Sequence, residues 1–237
     1  MPRRPRIGTK GMVFHAMNRA VKRATMFERA GEYAAFEHLL AETKQKVPIS
    51  LFNYCIMPNH WHLIILVHND GDLSRFMHRL TGTHARRWHA CRGTTGTGAV
   101  YQGRFLSIPV QTDDHLLRVM RYVERNPLRA NLVSGAAEWR WSSLWRRSNF
   151  CDGGLLDEWP ILRPPGWGEL VNEPQTEGEL SSLREAITRN APYGDDEWRE
   201  RTAELLGLEK SLRPRGRPRG KRIPTPFSQR PECQPRK

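Results

Sequence analysis

The chain has 237 residues, 38% of them hydrophobic and 27% charged, which is enough apolar sequence for a core in part of its length. It contains no apolar run of about 18 residues, which excludes a membrane-spanning helix. The basic N-terminal segment is not followed by an apolar stretch, so it is not expected to be a secretory signal. Four widely spaced cysteines without a CxxC pair argue against a disulfide scaffold or a zinc ribbon and predict a cytoplasmic protein.

Charge is distributed unevenly along the chain. The formal net charge is +13, yet residues 151–210 hold six basic and 14 acidic residues and contribute −8. Residues 1–150 are basic, and residues 211–237 hold nine basic residues and one acidic residue. A basic body with a basic tail is typical of a protein that binds a polyanion such as nucleic acid, although such charge also serves solubility alone.

Hydrophobic periodicity predicts alternating strands and helices up to residue 131. Strand-like apolar runs occur at 12–18, 50–57, 60–67 and 100–110, and amphipathic helical patterns occur at 31–46, 72–91 and 115–126. Asp72 is expected to cap the helix that it begins, and Pro127 is expected to stop the last helix. The order βαββαβ with one added helix predicts an α+β fold, with a ferredoxin-like core and an antiparallel sheet.

Composition divides the chain into four predicted regions. These are a core domain over 8–131, a Trp-, Pro- and Gly-rich connection packed on it over 132–175, an acidic helical appendage over 176–210 and a disordered basic tail over 211–237. Thr176 and Glu179 form a capping box that opens the appendage, and a second helix is predicted to end near residue 206. The appendage is interpreted as a DNA-positioning module or as a cover over a basic site, and its negative charge favours the cover.

His60-Trp61-His62 begins the third predicted strand. Side chains at i and i+2 of a strand point to the same face, so two imidazoles would lie side by side, with Trp61 on the other face. That arrangement offers two nitrogen ligands for one divalent metal. Because the sequence contains nine histidines, such a pair also arises by chance, and alone it is a weak signal.

Tyr122 and Asn126 lie one helical turn apart on the edge of the last predicted helix, with Arg118 one turn before them. Taken alone, Tyr122 is more typical of a half-buried packing residue. Combined with the histidine pair, it has a chemical sense: a metal held by two imidazoles and a carbonyl oxygen would polarise a phosphodiester, and a tyrosine would attack it. Asn126 could then reach the metal while Tyr122 reaches the phosphorus.

Four motifs, in the same order along the chain, resemble those of single-tyrosine HUH transposases, and most closely the REP-associated tyrosine transposases of bacteria. MPNHWHLI at 57–64 resembles the HUH motif, and YVERNPLRA at 122–130 resembles the tyrosine helix; VFHAMNRAVKR at 13–23 and YQGRF at 101–105 match as well. A C-terminal pattern that begins with TEGELSSLREAITRNAPYG at 176–194 and ends with RGRPRGKR at 215–222 also matches.

This resemblance implies a function and a ligand set. It implies a DNA transposase that cuts and joins single-stranded DNA beside hairpins in repetitive extragenic palindromes, through a 5′-phosphotyrosine intermediate at Tyr122. Mg²⁺ or Mn²⁺ would be held by His60, His62 and Asn126. The protein would be cytoplasmic, bacterial and nucleoid-associated, and a monomer is slightly favoured over an oligomer.

Several arginines are candidates for DNA contacts. Arg19, Arg104 and Arg118 would bind backbone phosphates and fix the register of the DNA. Arg215 and Arg217 lie in an RGRP sequence typical of an AT-hook, whose arginines enter a narrow minor groove, although a tail that binds phosphates without sequence preference fits equally well.

Two other functions remain open from the sequence. A domesticated, non-catalytic relative would bind hairpin DNA and regulate, but the set His60, His62, Tyr122 and Asn126 is intact, which argues against it. A zinc hydrolase using His60 and His62 would need a carboxylate at a suitable spacing, and the sequence offers none that is persuasive.

Overall fold

The computed structural model describes residues 8–151 and 153–213. Its first part contains four strands and three long helices: β1 Val13–Arg19, α1 Ala30–Lys46, β2 Ile49–Met57, β3 His60–Val67, α2 Asp72–Arg92, β4 Leu106–Val110 and α3 Asp114–Glu124. The predicted order of strands and helices is therefore confirmed. Six shorter or later helices follow: α4 Asn126–Arg129, α5 Ser143–Ser148, α6 Trp167–Asn172, α7 Glu177–Arg189, α8 Asp196–Leu206 and α9 Glu209–Leu212.

The four strands form one antiparallel sheet in the order β2-β3-β1-β4. This is the ferredoxin-like arrangement, so the predicted fold class is confirmed. The two central strands, β1 and β3, pair with Met17 opposite His62 and Arg19 opposite His60. This register places the start of β3 beside the end of β1.

Successive side chains of each strand point to opposite faces of the sheet, and most are buried on both faces, so helices cover both faces. One face packs against α1 and α2, with Trp61, Phe36 and Phe76 in a shared core. The other face packs against α3, whose stripe of Leu116, Val119, Met120 and Val123 is fully buried against strand residues such as Ile64. As the period of two requires, β3 directs Trp61 toward α1 and leaves His60 and His62 on the face that α3 covers.

Two predicted element boundaries are wrong. The strand expected over 100–110 covers only Leu106–Val110; Tyr101 makes an isolated bridge to Ala20 instead, and bends at 102–104 separate it from β4. The helix predicted over 115–126 is α3, which ends at Glu124, and Asn126 begins the separate turn α4. Proline disfavours helical backbone at the residue before it and lacks an N–H, so Pro127 is accommodated in the first turn of α4 rather than inside α3.

Asp72 is not the cap of α2, contrary to prediction. Gly71, with φ of 83°, occupies the cap position, and Asp72 is the first helical residue. The buried Asp72 carboxylate accepts from the Asn69 backbone N–H at 3.0 Å and from the side chain of Arg75. Asp72 thus stabilises the helix start by fixing the turn before it.

The later helices pack on the core. Within the predicted connection over 132–175 the structure contains α5 and α6, which are too short for hydrophobic periodicity to reveal. The capping box at Thr176 is confirmed, and α7 contacts α3 and β4. Beyond α7, Tyr193 donates its backbone N–H to Pro109 O and accepts from Gln111 N, both at 2.9 Å, so this segment is hydrogen-bonded to the edge of the sheet.

The four regional boundaries predicted from composition stay a prediction. Most of the predicted disordered tail, residues 214–237, lies outside the described residues. Among the residues that are described, no helix is long and apolar enough to cross a membrane.

Candidate active site

The predicted histidine pair lies side by side at the start of β3. The ring centroids of His60 and His62 are 5.0 Å apart, with the rings nearly perpendicular. The Nδ1 atom of His60 is 2.6 Å from Asn59 Oδ1. His62 is buried, with 4% of its surface exposed, and its Nε2 atom has no hydrogen-bond partner among the described residues. A buried nitrogen of this kind is well suited to bind a metal ion.

Tyr122 projects from α3 toward this pair. Its ring centroid is 6.0 Å from that of His62, and the two ring planes are perpendicular. The tyrosine is half-buried and contacts the core on this side of the sheet. Two elements separated by some 60 residues of sequence therefore meet at one place, as the combined pattern predicts.

Asn126 is buried at the start of α4 and is held by a neighbouring arginine. Its Oδ1 atom accepts from Arg129 Nη2 at 2.8 Å, while its Nδ2 atom has no partner within the described part of the chain. The Arg129 guanidinium also lies over the Tyr122 ring, with Cζ 4.2 Å from the ring centroid. Arg129 therefore contacts both Tyr122 on α3 and Asn126 on α4.

The histidines are neutral at physiological pH. Burial, together with the positive charges of Arg19 and Arg129, lowers the pKa of His60 to about 4. Burial, followed by the neighbouring His60 and His15 rings and by arginine charges, holds the pKa of His62 well below its usual value. A neutral imidazole keeps a lone pair, and this is the form that binds a metal.

A cavity of about 450 Å³ opens beside the histidines. It lies between the ends of β1 and β3, the loop before β4 and the last turn of α7. Its lining residues are Met17, Asn18, Arg19, His60, His62, Gln102, Gly103, Arg104, Leu106, Ile187 and Thr188. Amides, apolar side chains and two arginines thus surround the histidine pair.

Comparison with known proteins assigns this chain to a family. Residues 9–126, which span all four strands, α3 and Asn126, match the family model described as "Transposase IS200 like". The chain belongs to the IS200-like transposase family. No curated protein sequence matches the chain.

One of two similar solved structures shows the fold that this chain shares. A REP-associated tyrosine transposase bound to a REP hairpin is 19% identical, with 75% of this chain and 99% of that chain covered and a TM-score of 0.51. A Deinococcus radiodurans R1 protein described as a candidate transposase is 15% identical, with 52% and 96% covered and a TM-score of 0.37.

The donor atoms of this transposase fit a divalent metal. Nε2 of His62 is buried and has no partner in the described part of the chain, and His60 uses Nδ1 toward Asn59, so Nε2 is the nitrogen that a metal would use on each ring. The Oδ1 atom of Asn126 has a second lone pair beyond the one that Arg129 occupies. Residues 8–151 and 153–213 hold no cluster of three His, Cys, Asp or Glu side chains suited to a metal.

The predicted DNA-binding arginines lie in different places. Arg19 and Arg104 line the cavity beside His60, as a phosphate-binding role requires. Arg118 does not line it; its Nε atom is 3.9 Å from Glu179 Oε1 on α7. Arg215 and Arg217 lie outside the described residues.

Two residues of the site were missed in the sequence. His15, on β1, is fully buried, and its Nε2 atom is 2.9 Å from His62 Nδ1. Arg129 follows Tyr122 by seven residues, a spacing that returns to the same side of a helix after two turns. That spacing was a usable signal for Arg129, whereas the position of His15 depends on the register between β1 and β3.

Proposed function

We propose that this IS200-like transposase cuts and joins single-stranded DNA, with Tyr122 as the nucleophile and His60, His62 and Asn126 as the ligands of a divalent metal. The observation that carries this proposal is the contact between Tyr122 and His62, whose ring centroids are 6.0 Å apart, with Asn126 at the start of the next helix, α4. A nucleophile and a metal site on one face of the sheet can act on the same phosphate.

The reaction is a transfer of the DNA phosphate to the protein. The Tyr122 hydroxyl loses its proton and attacks the phosphorus; the bond from phosphorus to the 3′ oxygen breaks, and that oxygen takes up a proton. The products are a 5′-phosphotyrosine and a free 3′-OH. When bound, Mg²⁺ or Mn²⁺ supplies charge that polarises the phosphate. Joining is the reverse attack by a 3′-OH.

The residues around the cavity suit a DNA strand. The cavity volume of about 450 Å³ lies within the range of small-ligand sites, so a nucleotide next to the scissile phosphate fits there. Arg19 and Arg104 would bind the backbone phosphates on either side. Arg118 would join them only by leaving Glu179, and Arg215 and Arg217 would extend the contact along flanking DNA.

The substrate we propose is DNA beside a hairpin of a repetitive extragenic palindrome. The structurally similar REP-associated tyrosine transposase is bound to a REP hairpin, and the two share a fold over 75% of this chain. The four motifs named above support the same substrate. Such a substrate would place this protein on the bacterial nucleoid.

The test is formation of a covalent adduct. Wild-type protein incubated with a labelled DNA hairpin and Mn²⁺ should give a labelled band on a denaturing gel, and Tyr122→Phe should give none while it still binds the hairpin. Tyr33→Phe is the matched control, because Tyr33 lies on α1, where it is buried beside Phe27 in the core on the opposite side of the sheet, and its loss of a hydroxyl should leave the adduct intact. Hairpin binding without an adduct in the wild-type protein would instead support the non-catalytic regulator.

A further inference from the structure

His15 has a position that the proposed reaction does not use. It lies in the middle of the central strand β1, opposite Ile64 of β3 and Ile108 of β4, and it is fully buried. Its ring is on the face of the sheet that α3 covers, with its centroid 6.3 Å from that of Tyr122. A polar ring held between two neighbouring strands at this depth has little freedom to move.

The polar contact of His15 is with a proposed metal ligand. Its Nε2 atom is 2.9 Å from Nδ1 of His62, which is a hydrogen-bond distance; the two ring planes are inclined by 28°, and their centroids are 5.1 Å apart. The outer nitrogens of both rings, Nδ1 of His15 and Nε2 of His62, are buried and have no partner among the described residues.

One hydrogen atom lies between the two facing nitrogens. Whether it is bonded to His15 Nε2 or to His62 Nδ1 decides whether Nε2 of His62 can bind a metal. If His15 donates, neutral His62 carries its own hydrogen on Nε2 and cannot bind a metal through that atom. If His62 donates from Nδ1, its Nε2 keeps a lone pair that points away from His15. Without a metal, both arrangements leave one buried donor and one buried acceptor unpaired. A cation at Nε2 satisfies the acceptor in the second arrangement alone.

We infer that His15 is a positioning residue, which accepts the Nδ1–H of His62 and thereby holds the bare Nε2 of His62 toward the metal. The inference rests on the proposed function, because it takes His62 as a ligand. Outer-sphere partners of ligating histidines fix the tautomer and the ring orientation, and their loss typically lowers metal affinity by about 10–100-fold.

The first measurement reads the tautomer directly in the full-length protein saturated with the diamagnetic ion Mg²⁺, because only a bound cation distinguishes the two arrangements. Long-range ¹⁵N–¹H correlation spectra of histidine-labelled wild-type protein, assigned with a His62→Gln variant, report which ring nitrogen carries the hydrogen. We expect His62 to be protonated on Nδ1. A His62 ring protonated on Nε2 in the wild-type protein would overturn the inference.

The second measurement compares two variants of His15 by Mn²⁺ titration without DNA. His15→Leu keeps the volume and removes the acceptor, so we expect Mn²⁺ affinity to fall by about 10–100-fold. His15→Gln can place its amide oxygen near the position of Nε2, and we expect it to retain affinity within about threefold of wild type. Equal affinities for wild type and His15→Leu, or equal losses in both variants, would contradict the inference.

Further controls distinguish an effect on metal binding from a loss of folding or of DNA cleavage. Thermal unfolding of each variant tests the fold; if His15→Leu does not fold, the wild-type tautomer and His15→Gln still decide. Tyr122→Phe should match wild type in tautomer and in Mn²⁺ affinity. Mn²⁺ binding with the expected tautomer but no DNA adduct would overturn the proposed function alone, whereas a wild-type protein that binds no Mn²⁺ would overturn the inference together with the metal site.

Discussion

The Arg129 guanidinium lies over the ring of Tyr122, with Cζ 4.2 Å from the ring centroid, and donates from Nη2 to Asn126 Oδ1 at 2.8 Å. One side chain thus joins the proposed nucleophile to the proposed amide ligand. The positive charge contacts the π face of the ring, and the hydrogen bond orients the carbonyl of Asn126.

Arg129→Met should slow DNA cleavage without preventing folding. A cation–π contact and a charge-assisted hydrogen bond each contribute roughly 1–2 kcal/mol, so we expect a loss of about ten- to a hundredfold in the single-turnover rate. Arg140→Met is the matched control, because Arg140 makes the same kind of contact with Trp141, 5.1 Å from the ring centroid, away from the histidines. An unchanged rate for Arg129→Met would show that the contact is only structural.

His60→Ala should abolish cleavage and leave hairpin binding within a few fold of wild type. Binding rests mainly on phosphate contacts, which the substitution does not remove. His38→Ala, an exposed histidine on α1, should change neither quantity. Gel-shift titration and adduct formation measured on the same samples separate the two effects, and a parallel loss of both would assign His60 a structural role. A chelator should likewise stop cleavage by the wild-type protein.

Much of this site follows from local periodicity, and the rest depends on contacts between distant segments. The period of two placed His60 and His62 together and Trp61 on the opposite face, and the helical period placed Tyr122 on the side of α3 that faces His62. The break between α3 and α4 arises at Pro127, but how far the helix continues beyond it depends on packing.

His15 and the later helices show what local patterns miss. In the register between β1 and β3, Met17 lies opposite His62 and His15 lies opposite Ile64, so His15 reaches His62 diagonally on the same face. This register is set by pairing across the sheet and not by the local sequence. The helices α5 and α6 are each six residues long, which is too short for a periodic signal. Their position is fixed instead by individual contacts, such as that between Trp167 and Glu124.

Glu124 is a buried carboxylate that joins α3 to these two helices. It accepts from Ser143 Oγ and from Trp167 Nε1, each at 2.6 Å. Glu124→Gln replaces one acceptor oxygen by a donor, so we expect unfolding by denaturant to show a loss of about 1–3 kcal/mol. Glu138→Gln, at an exposed turn, should change stability little.

The effect of Glu124 should also depend on pH. Burial raises the pKa of Glu124, so the Glu124 carboxyl group binds a proton more tightly in the folded state than in the unfolded state. The contribution of this group to stability therefore rises as the pH falls from neutral through the raised pKa, and Glu124→Gln removes that contribution. The difference in unfolding free energy between wild type and variant should grow as the pH falls, and a difference independent of pH would contradict this account.

Deletion of residues 211–237 should weaken DNA binding and reduce its dependence on salt. The segment holds nine basic residues, and each phosphate contact that is lost lowers the slope of log K against log salt by about 0.7–0.9. The double variant Arg215→Ala/Arg217→Ala separates an AT-hook from general phosphate binding, because only the former predicts a selective loss on A·T-rich flanking DNA. An unchanged slope after deletion would show that the tail does not contact the DNA.

The central claim is that Tyr122 attacks the DNA, and mapping the adduct tests it most directly. Trypsin cuts after Arg121 and Arg125, so Tyr122 is released in the short peptide 122–125, apart from the other four tyrosines. After reaction with a hairpin and Mn²⁺, followed by nuclease and trypsin digestion, mass spectrometry should find the nucleotide phosphate on Tyr122 in this peptide. A nucleotide phosphate on Tyr33, Tyr54, Tyr101 or Tyr193, with peptide 122–125 unmodified, would contradict the account.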